Sequence, residues 1–299
     1  MTYHTPVLLN ESIGALQVKE SGVYADLTFG GGGYARAILD KLKKGRLYAF
    51  DQDTDAFENL PDRKNIIPIH ANFRHLSNFM RYYGEEKLDG IIADLGVSMH
   101  QFAEEKRGFT YRSNTALDMR MNKTAKQTAA DVINTYSYEK LAELFRIYAD
   151  LPNAGPVAKA IVKSRETEKI NTTGQLADSL TKFYRPDTRN KFLSKVFQAL
   201  RIEVNHEMEA LSEMLPQAVS LLKKNGRLVI LSYHSVEDRI LKNFIKSGNT
   251  EGKIHKDIMG NSPDMPLRII TPRPIVAPEK EVSENPAARS AKLRIAEKI

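Results

Sequence analysis

Four consecutive glycines, Gly30 to Gly33, separate an apolar run, Val23-Tyr24-Ala25-Asp26-Leu27, from a helix-like run, Tyr34 to Leu42. A second apolar run, Arg46 to Phe50, ends in Asp51-Gln52-Asp53. Glycines let the backbone approach a ligand where a Cβ would collide. A carboxylate at the tip of the second strand can accept both hydroxyl protons of a ribose. Gly30-Gly31-Gly32-Gly33-Tyr34-Ala35 also fits the loose G-x-G-x-x-A pattern of dinucleotide sites. Asp26 separates the two chemistries. A nicotinamide dinucleotide would lay its pyrophosphate beside this acid and be repelled, whereas the sulfonium and ammonium groups of S-adenosylmethionine suit it. The residues favour S-adenosylmethionine.

Strand and helix signals alternate through the first hundred residues, which is what must hold such a loop. A helix is expected near Asp55–Leu60 and a strand over Ile66–His70. A short helix follows around Leu76–Tyr83, and then a buried strand, Leu88–Asp94, that again ends in an acid. Such units imply a parallel sheet that binds ligands at the carboxyl ends of its strands. Asp26, Asp51, Phe73 and Asp94 all fall at or just beyond those ends.

The pattern breaks after Gly96. Residues 103–123 read as a loop with interleaved aromatic and basic side chains, Arg107-Gly108-Phe109-Thr110-Tyr111-Arg112 and then Leu117-Asp118-Met119-Arg120-Met121. Helical signals follow to about 205. Ser137 is placed to cap a helix carrying Leu141, Leu144, Phe145 and Tyr148. Thr172 with Gln175 forms a capping-box pattern. Val196, Leu200, Val204, Met208, Leu211 and Leu215 recur at helical spacing, Pro216 is expected to kink or restart that helix, and Asn225-Gly226 to stop the next. A strand returns at Arg227–Tyr233 and a helix at Val236–Phe244. Strand-like runs at Leu267–Thr271 and Lys292–Ala296 flank a proline-rich loop. The expected organisation is a discontinuous α/β domain, 1–104 and 206–299, interrupted by a helical insert, 105–205.

The chain has 299 residues, 41% of them hydrophobic, a net charge of +7 and no cysteine. Disulfides, thiolate metal sites and cysteine nucleophiles are therefore excluded. The seven histidines are scattered, and no metal site is expected. No apolar run approaches a membrane span and no signal peptide is visible, so cytoplasmic residence is expected. Residues 159–201 hold ten Lys/Arg against four acids, which is +6 of the total charge. Clustered positive charge points to a phosphate-bearing partner or to a solvated helical surface.

Taken together, these motifs resemble the bacterial small-subunit ribosomal RNA methyltransferase H family, also called MraW. The matching segments include His4–Glu11, Asp26–Tyr34, Asp51–Asp53, Asp89–Gln101, Arg107–Phe109, Leu117–Met121, Val196–Asn205, Gly226–Asp238 and Asn285–Arg294, in the family's order across nearly the whole chain. The resemblance implies a Rossmann-like methyltransferase sheet interrupted by an all-helical insert. It implies S-adenosylmethionine as donor, N4 of a cytidine in the decoding region of 16S ribosomal RNA as acceptor, and the small ribosomal subunit as partner. Cofactor contacts implied here fall on the glycine loop (Gly30, Gly32, Gly33), Tyr34, Asp51, Phe73, Asp94 and Gln101. Gly31 stands where a larger, often basic residue is common, Tyr34 where histidine is common, and Met99-His100 where Ser-Pro is common. A homodimer is left open.

The cytosine amino lone pair is delocalised into the ring, so N4 is a poor nucleophile. Amino methyltransferases commonly meet this with an Asp/Asn-Pro-Pro-aromatic run after the fourth strand. Asp94-Leu95-Gly96-Val97-Ser98 stands there instead, so another group must receive the proton. Asp118 and His234 are the candidates. Positioning is expected to dominate, with N4 held in line with the methyl group at ~3–3.5 Å and the cytosine extruded from its stack. Phe109 and Tyr111 are candidates to stack on RNA bases, and Arg107 and Arg112 to hold phosphates. Two other classes are weighed: a non-catalytic RNA-binding assembly factor with a retained cofactor pocket, and an NAD-dependent oxidoreductase, which Asp26 disfavours.

Overall fold

The computed structural model describes residues 6–254 and 265–299. The chain divides into two compact units, Met1–Gly96 with Met208–Ile299, and Val97–Glu207. The first unit carries, in chain order, α1 (Leu9–Leu16), β1 (Val23–Asp26), α2 (Gly33–Leu39), β2 (Arg46–Asp51), β3 (Ile66–His70), α3 (Leu76–Tyr82) and β4 (Leu88–Asp94). The second carries α4 (Met99–Ala103), α5 (Ala129–Thr135), α6 (Tyr138–Ala149), α7 (Ala154–Thr167), α8 (Thr173–Ser179) and α9 (Arg189–Asn205). The chain then continues through α10 (Glu207–Leu221), β5 (Leu222–Ser232), α11 (Ser235–Ser247), β6 (Leu267–Ile269), α12 (Glu279–Glu284) and β7 (Lys292–Lys298).

The strands form one sheet of order β3-β2-β1-β4-β5-β7-β6. The first five run parallel, and β7 pairs antiparallel with both β5 and β6. Side chains alternate along each strand. Leu47 and Ala49 of β2 pack with Ile13 and Leu16 of α1 and Ile38 of α2. Tyr48 and Phe50 turn to the opposite face, among Leu76 and Met80 of α3, Met214 of α10 and Leu241 of α11. With both faces covered, the strands read as apolar runs, which made them visible in the sequence. Strand order reverses between β1 and β4, the switch point at which open α/β sheets leave a crevice. Asp26, Asp51 and Asp94 end β1, β2 and β4.

The helical unit has its own core, with Phe145 of α6, Val157 and Ile161 of α7, and Val196 and Leu200 of α9 at its centre. Its helices start where the sequence placed caps. Ser137 Oγ accepts from Lys140 N, and Thr172 and Gln175 close a capping box. A second capping box, Ser98 with Gln101, starts α4, and the unit opens at Val97, ahead of the expected 105.

Several boundaries differ from expectation. The Thr54–Asn59 segment is a 3-10 helix. The long helical run breaks at His206, in left-handed geometry with φ 50°, and not at Pro216, which lies inside α10. Pro216 is exposed, so the carbonyl it frees one turn back has water available. Asn225-Gly226 does not end a helix. Asn225 takes φ 64° inside the β5 run, where the β4–β5 register shifts between Leu88 and Gly90. The proline-rich stretch contains α12 and a 3-10 turn, Pro286–Ser290.

Candidate functional site

The glycine loop is tied to the strand ends on both sides. Leu27 N donates to Ile92 O at 2.9 Å, and Phe29 N to Phe50 O at 2.8 Å. Gly30 takes φ 50° and Gly32 φ 73°, backbone that favours glycine. A Cβ on Gly33 would sit 2.1 Å from Pro6 Cγ, whereas one on Gly31 would meet nothing within 4 Å. Asp51 organises the loop: Oδ2 accepts from Gly30 N at 2.8 Å and Oδ1 from Asp53 N at 2.9 Å. Burial pushes the Asp51 carboxyl up to about 6, against the lowering effect of those two N–H groups.

Two further carboxyls share these strand ends. Asp26 is buried, and burial raises it to about 7, with Asp51 and Asp94 adding to the rise. Its Oδ1 accepts from Thr28 N at 3.2 Å, while Oδ2 has no hydrogen-bond partner among the described residues. Asp94 is also raised to about 7 by burial, opposed by a hydrogen bond from Tyr233 Oη to Oδ1 at 2.7 Å. The Asp94 amide donates to Thr28 Oγ1 at 2.6 Å, linking β4 to the start of the loop. Three carboxyls in a crevice, one with an orphaned buried oxygen, form a site that a cationic ligand would complete. The donor set therefore fits the sulfonium and ammonium groups of S-adenosylmethionine.

Phe73 opens the 3-10 turn after β3, where Asn72 Oδ1 caps Arg74 N at 3.0 Å; its ring is half-buried against the sheet core. Tyr34 is buried, and its hydroxyl donates to Val7 O. That side chain anchors the segment preceding α1, which leaves only the Tyr34 backbone for a ligand. Burial raises the Tyr34 phenol well above its ordinary range.

His234 lies just beyond the end of β5. It is the N-cap of α11: Nδ1 accepts from Glu237 N at 3.4 Å, and Nε2 lies 3.0 Å from Glu237 Oε1. Glu237 Oε2 closes the cap by accepting from His234 N at 3.4 Å, and it also accepts from Tyr233 N at 2.9 Å. The ring is thus engaged by one residue of its own helix, by the Glu237 backbone amide at Nδ1 and by the Glu237 carboxylate at Nε2.

The remaining candidates belong to the helical unit. Asp118 accepts a fork from Arg120, Nε to Oδ1 and Nη2 to Oδ2, each at 2.7 Å. Burial alone would raise the Asp118 carboxyl, but the Arg120 hydrogen bonds outweigh it and hold it below the ordinary carboxylate range. A carboxylate so occupied holds a proton weakly. Arg107 is buried, and its Nη2 donates to Arg120 O at 2.8 Å and Met121 O at 2.9 Å. Phe109 lies in the core of the unit. Neither is available to RNA, contrary to expectation. Tyr111 is half-buried against Phe197 and bonds Ser194 Oγ at 3.0 Å, while Arg112 is exposed. Gln101 is buried, and its Oε1 accepts from Ser98 N at 3.0 Å. Of the cofactor candidates, the glycines, Tyr34, Asp51, Phe73 and Asp94 share the sheet unit, and Gln101 does not.

The sequence profile of the MraW methylase family matches residues 1–299. The chain belongs to the MraW methylase family. Ribosomal RNA small subunit methyltransferase H of Parabacteroides distasonis is 50% identical over 299 residues, covering 99% of this chain and 98% of that protein. Its counterpart from Bacteroides thetaiotaomicron is 50% identical over 299 residues, covering 100% and 98%. The protein of that name from Christiangramia forsetii is 48% identical over 300 residues, covering 100% and 99%. Among solved structures, a putative rRNA methylase from Clostridium thermocellum is 14% identical, covers 99% of this chain and 100% of its own, and has a TM-score of 0.45.

Two residues of this MraW methylase gain a place at the site that the sequence analysis did not assign them. Tyr233 reaches Asp94 across the sheet, and Thr28 receives the Asp94 amide. A signal existed for Tyr233: it stands just beyond the end of the returning strand, where ligands of such sheets bind. Its partner was not legible, because the pairing of β5 with β4 spans the whole helical unit.

Proposed function

We propose that this MraW methylase transfers a methyl group from S-adenosylmethionine to the exocyclic N4 of a cytidine in the decoding region of 16S ribosomal RNA. The observation that carries the donor assignment is the orphaned Oδ2 of buried Asp26, beside Asp51 and Asp94 at the switch point. The relatives named ribosomal RNA small subunit methyltransferase H, half identical over 98% of their length, support small-subunit ribosomal RNA as the substrate class.

In this reading, Asp26 faces the methionine ammonium and the glycine loop packs against the backbone of that moiety. Asp51, already oriented by Gly30 N and Asp53 N, offers its remaining lone pairs to the ribose hydroxyls. Phe73 flanks the adenine. The bound donor supplies an activated methyl group, so the protein's task is alignment of N4 with it and exclusion of water. N4 becomes cationic as it is methylated and then sheds a proton readily. With Asp118 committed to Arg120, His234 to Glu237 and Asp26 assigned to the ammonium, Asp94, raised to about 7 by burial, is the carboxyl left to take up that proton. Tyr233 keeps it oriented.

The test is methyl transfer from labelled S-adenosylmethionine to unmodified small ribosomal subunits and, separately, to naked 16S RNA, with nucleosides of the digest identified by mass spectrometry. N4-methylcytidine is the expected product. Binding of S-adenosylmethionine without transfer to either substrate would favour an RNA-binding assembly factor instead.

A further inference from the structure

The helical unit contains two kinds of arginine and lysine. Arg107 and Arg165 are spent on backbone carbonyls, and Arg120 and Arg201 on carboxylates. These hold the unit together. A second set is exposed and paired with no carboxylate among the described residues: Arg112, Lys182, Arg185 and Lys191, with half-exposed Arg189 beside them. Asp187 is the one acid between positions 179 and 201. Solvated protein surfaces ordinarily intersperse both signs, so this set is not explained by solvation alone.

The set is also held in place. The turn before α9 is closed by Arg185 N donating to Thr188 Oγ1 at 2.9 Å and by Thr188 N donating to Arg185 O at 3.0 Å. Phe183 and Phe192 stack with centroids 6.3 Å apart, and Tyr184 leans on Phe192 at 5.6 Å. Lys182 Nζ sits 5.2 Å over the Phe183 ring. Arg189 lies 6.0 Å over the ring of Tyr111, whose hydroxyl also donates to Asn190 O at 3.3 Å. That contact joins the loop bearing Arg112 to the start of α9. The cations are therefore displayed around half-buried aromatic rings on a braced turn, the combination that binds nucleic-acid backbone together with unstacked bases.

We propose that this basic and aromatic surface, centred on Lys182, Arg185 and Lys191 with Arg112 at its edge, binds the sugar-phosphate backbone of the substrate RNA. It takes the place of the Arg107–Phe109 loop expected from sequence, which is buried. The proposal rests on the ribosomal RNA reading above and names the part of the chain that holds that substrate. An acidic protein is the competing occupant, but the half-buried aromatic faces among the cations favour RNA.

The experiment compares the wild type with Lys182→Glu/Arg185→Glu/Lys191→Glu, and with Lys41→Glu/Lys44→Glu/Lys64→Glu as an equal charge change at exposed positions of the sheet unit. The Lys182→Gln/Arg185→Gln/Lys191→Gln version serves if the reversal impairs folding. Binding to naked 16S RNA and to small subunits is measured from 50 to 200 mM salt, with S-adenosylmethionine affinity as the internal control. For the 182/185/191 variant, RNA binding should weaken at least ~10-fold and the slope of log K against log salt should flatten by about 2, as ~0.7 counterion is released per single-strand phosphate contact. S-adenosylmethionine affinity should not change. Unchanged RNA affinity and slope, or an equal loss in the 41/44/64 variant, overturns the proposal. Weakened binding to subunits with unchanged binding to naked RNA also overturns it, in favour of a protein contact. A wild type that binds neither substrate defeats the ribosomal RNA reading itself along with this surface. RNA binding lost on the patch without any methyl transfer by the wild type defeats only the catalytic reading.

Discussion

Tyr233 Oη donates a 2.7 Å hydrogen bond to Asp94 Oδ1, joining the residue just past β5 to the last residue of β4. The bond favours the ionised carboxylate against the burial that raises it to about 7. It links the ends of two strands that pair directly in the sheet.

Tyr233→Phe removes only that donor. The Asp94 carboxyl should then rise further, and the acid limb of the pH–rate profile should move up by roughly one unit, since a hydrogen bond to a charged group is worth about 1.5–3 kcal/mol. Single-turnover rates from pH 6 to 9 measure it. An unmoved acid limb would separate Asp94 from the rate-controlling ionisation.

Asp51→Ala removes a ribose partner and also the acceptor of Gly30 N. Leaving a loop amide unsatisfied costs about 1–3 kcal/mol, so S-adenosylmethionine affinity should fall by roughly 100-fold when the ribose contacts go too. Calorimetry should show a much smaller loss for Asp51→Asn, whose Oδ1 still accepts from a backbone amide.

The three carboxyls also predict how pH couples to binding. Asp26 at about 7, Asp51 at about 6 and Asp94 at about 7 all lie above the unfolded value near 4. Raised acids make the ligand-free fold take up protons, so their stabilisation is complete below pH ~4 and is lost as pH rises through 6 to 7. A cationic donor prefers the ionised forms, so its affinity should change in the opposite sense. It should tighten between pH 5.5 and 7.5 by up to about tenfold per pH unit for each carboxyl that must ionise. Thermal unfolding with and without S-adenosylmethionine should therefore diverge as pH rises; a constant ligand-induced shift would mean that the carboxyls do not face the positive charge.

Much of this site was legible in the sequence because it is built from local signals. The strands β1, β2 and β4 announced themselves as apolar runs ending in an acid, and the helical caps at Ser137 and Thr172 act within three residues of themselves. What escaped depends on partners distant in the chain. Arg107 and Phe109 look like an exposed basic and aromatic pair until Arg120 and Met121 are brought over them. Likewise Asn205 is an ordinary helical residue until its side chain bonds Met119 O and Met121 N. Pro216 lies on an exposed helix face, where a proline removes one hydrogen bond without ending the helix.

Gly31 and Gly33 stand two residues apart and should answer substitution differently. Gly33→Ala places a methyl 2.1 Å from Pro6 Cγ, so the segment held by Tyr34 must move. A loss of about 1–3 kcal/mol is expected, together with weaker S-adenosylmethionine binding. Gly31→Ala meets open space and should leave both within about twofold. Chemical denaturation and calorimetry on the pair measure the difference, and equal effects would refute the close approach of Pro6.

The Leu117–Met121 loop is gripped by Arg107 from one flank and Asn205 from the other. Met119 lies in this loop fully buried at φ 63°, a conformation that persists only where surrounding structure enforces it. Arg107→Ala strands two carbonyls and opens a buried volume, so unfolding free energy should drop by roughly 2–4 kcal/mol. Asn205→Ala should cost a comparable amount, and the double variant less than the sum, because both side chains restrain one loop. Arg112→Ala, at an exposed position, should leave stability within about 0.5 kcal/mol and lower RNA affinity instead. Urea unfolding of the four variants decides it: a stable Arg107→Ala protein with impaired RNA binding would return Arg107 to the phosphate-holding role first read from the sequence.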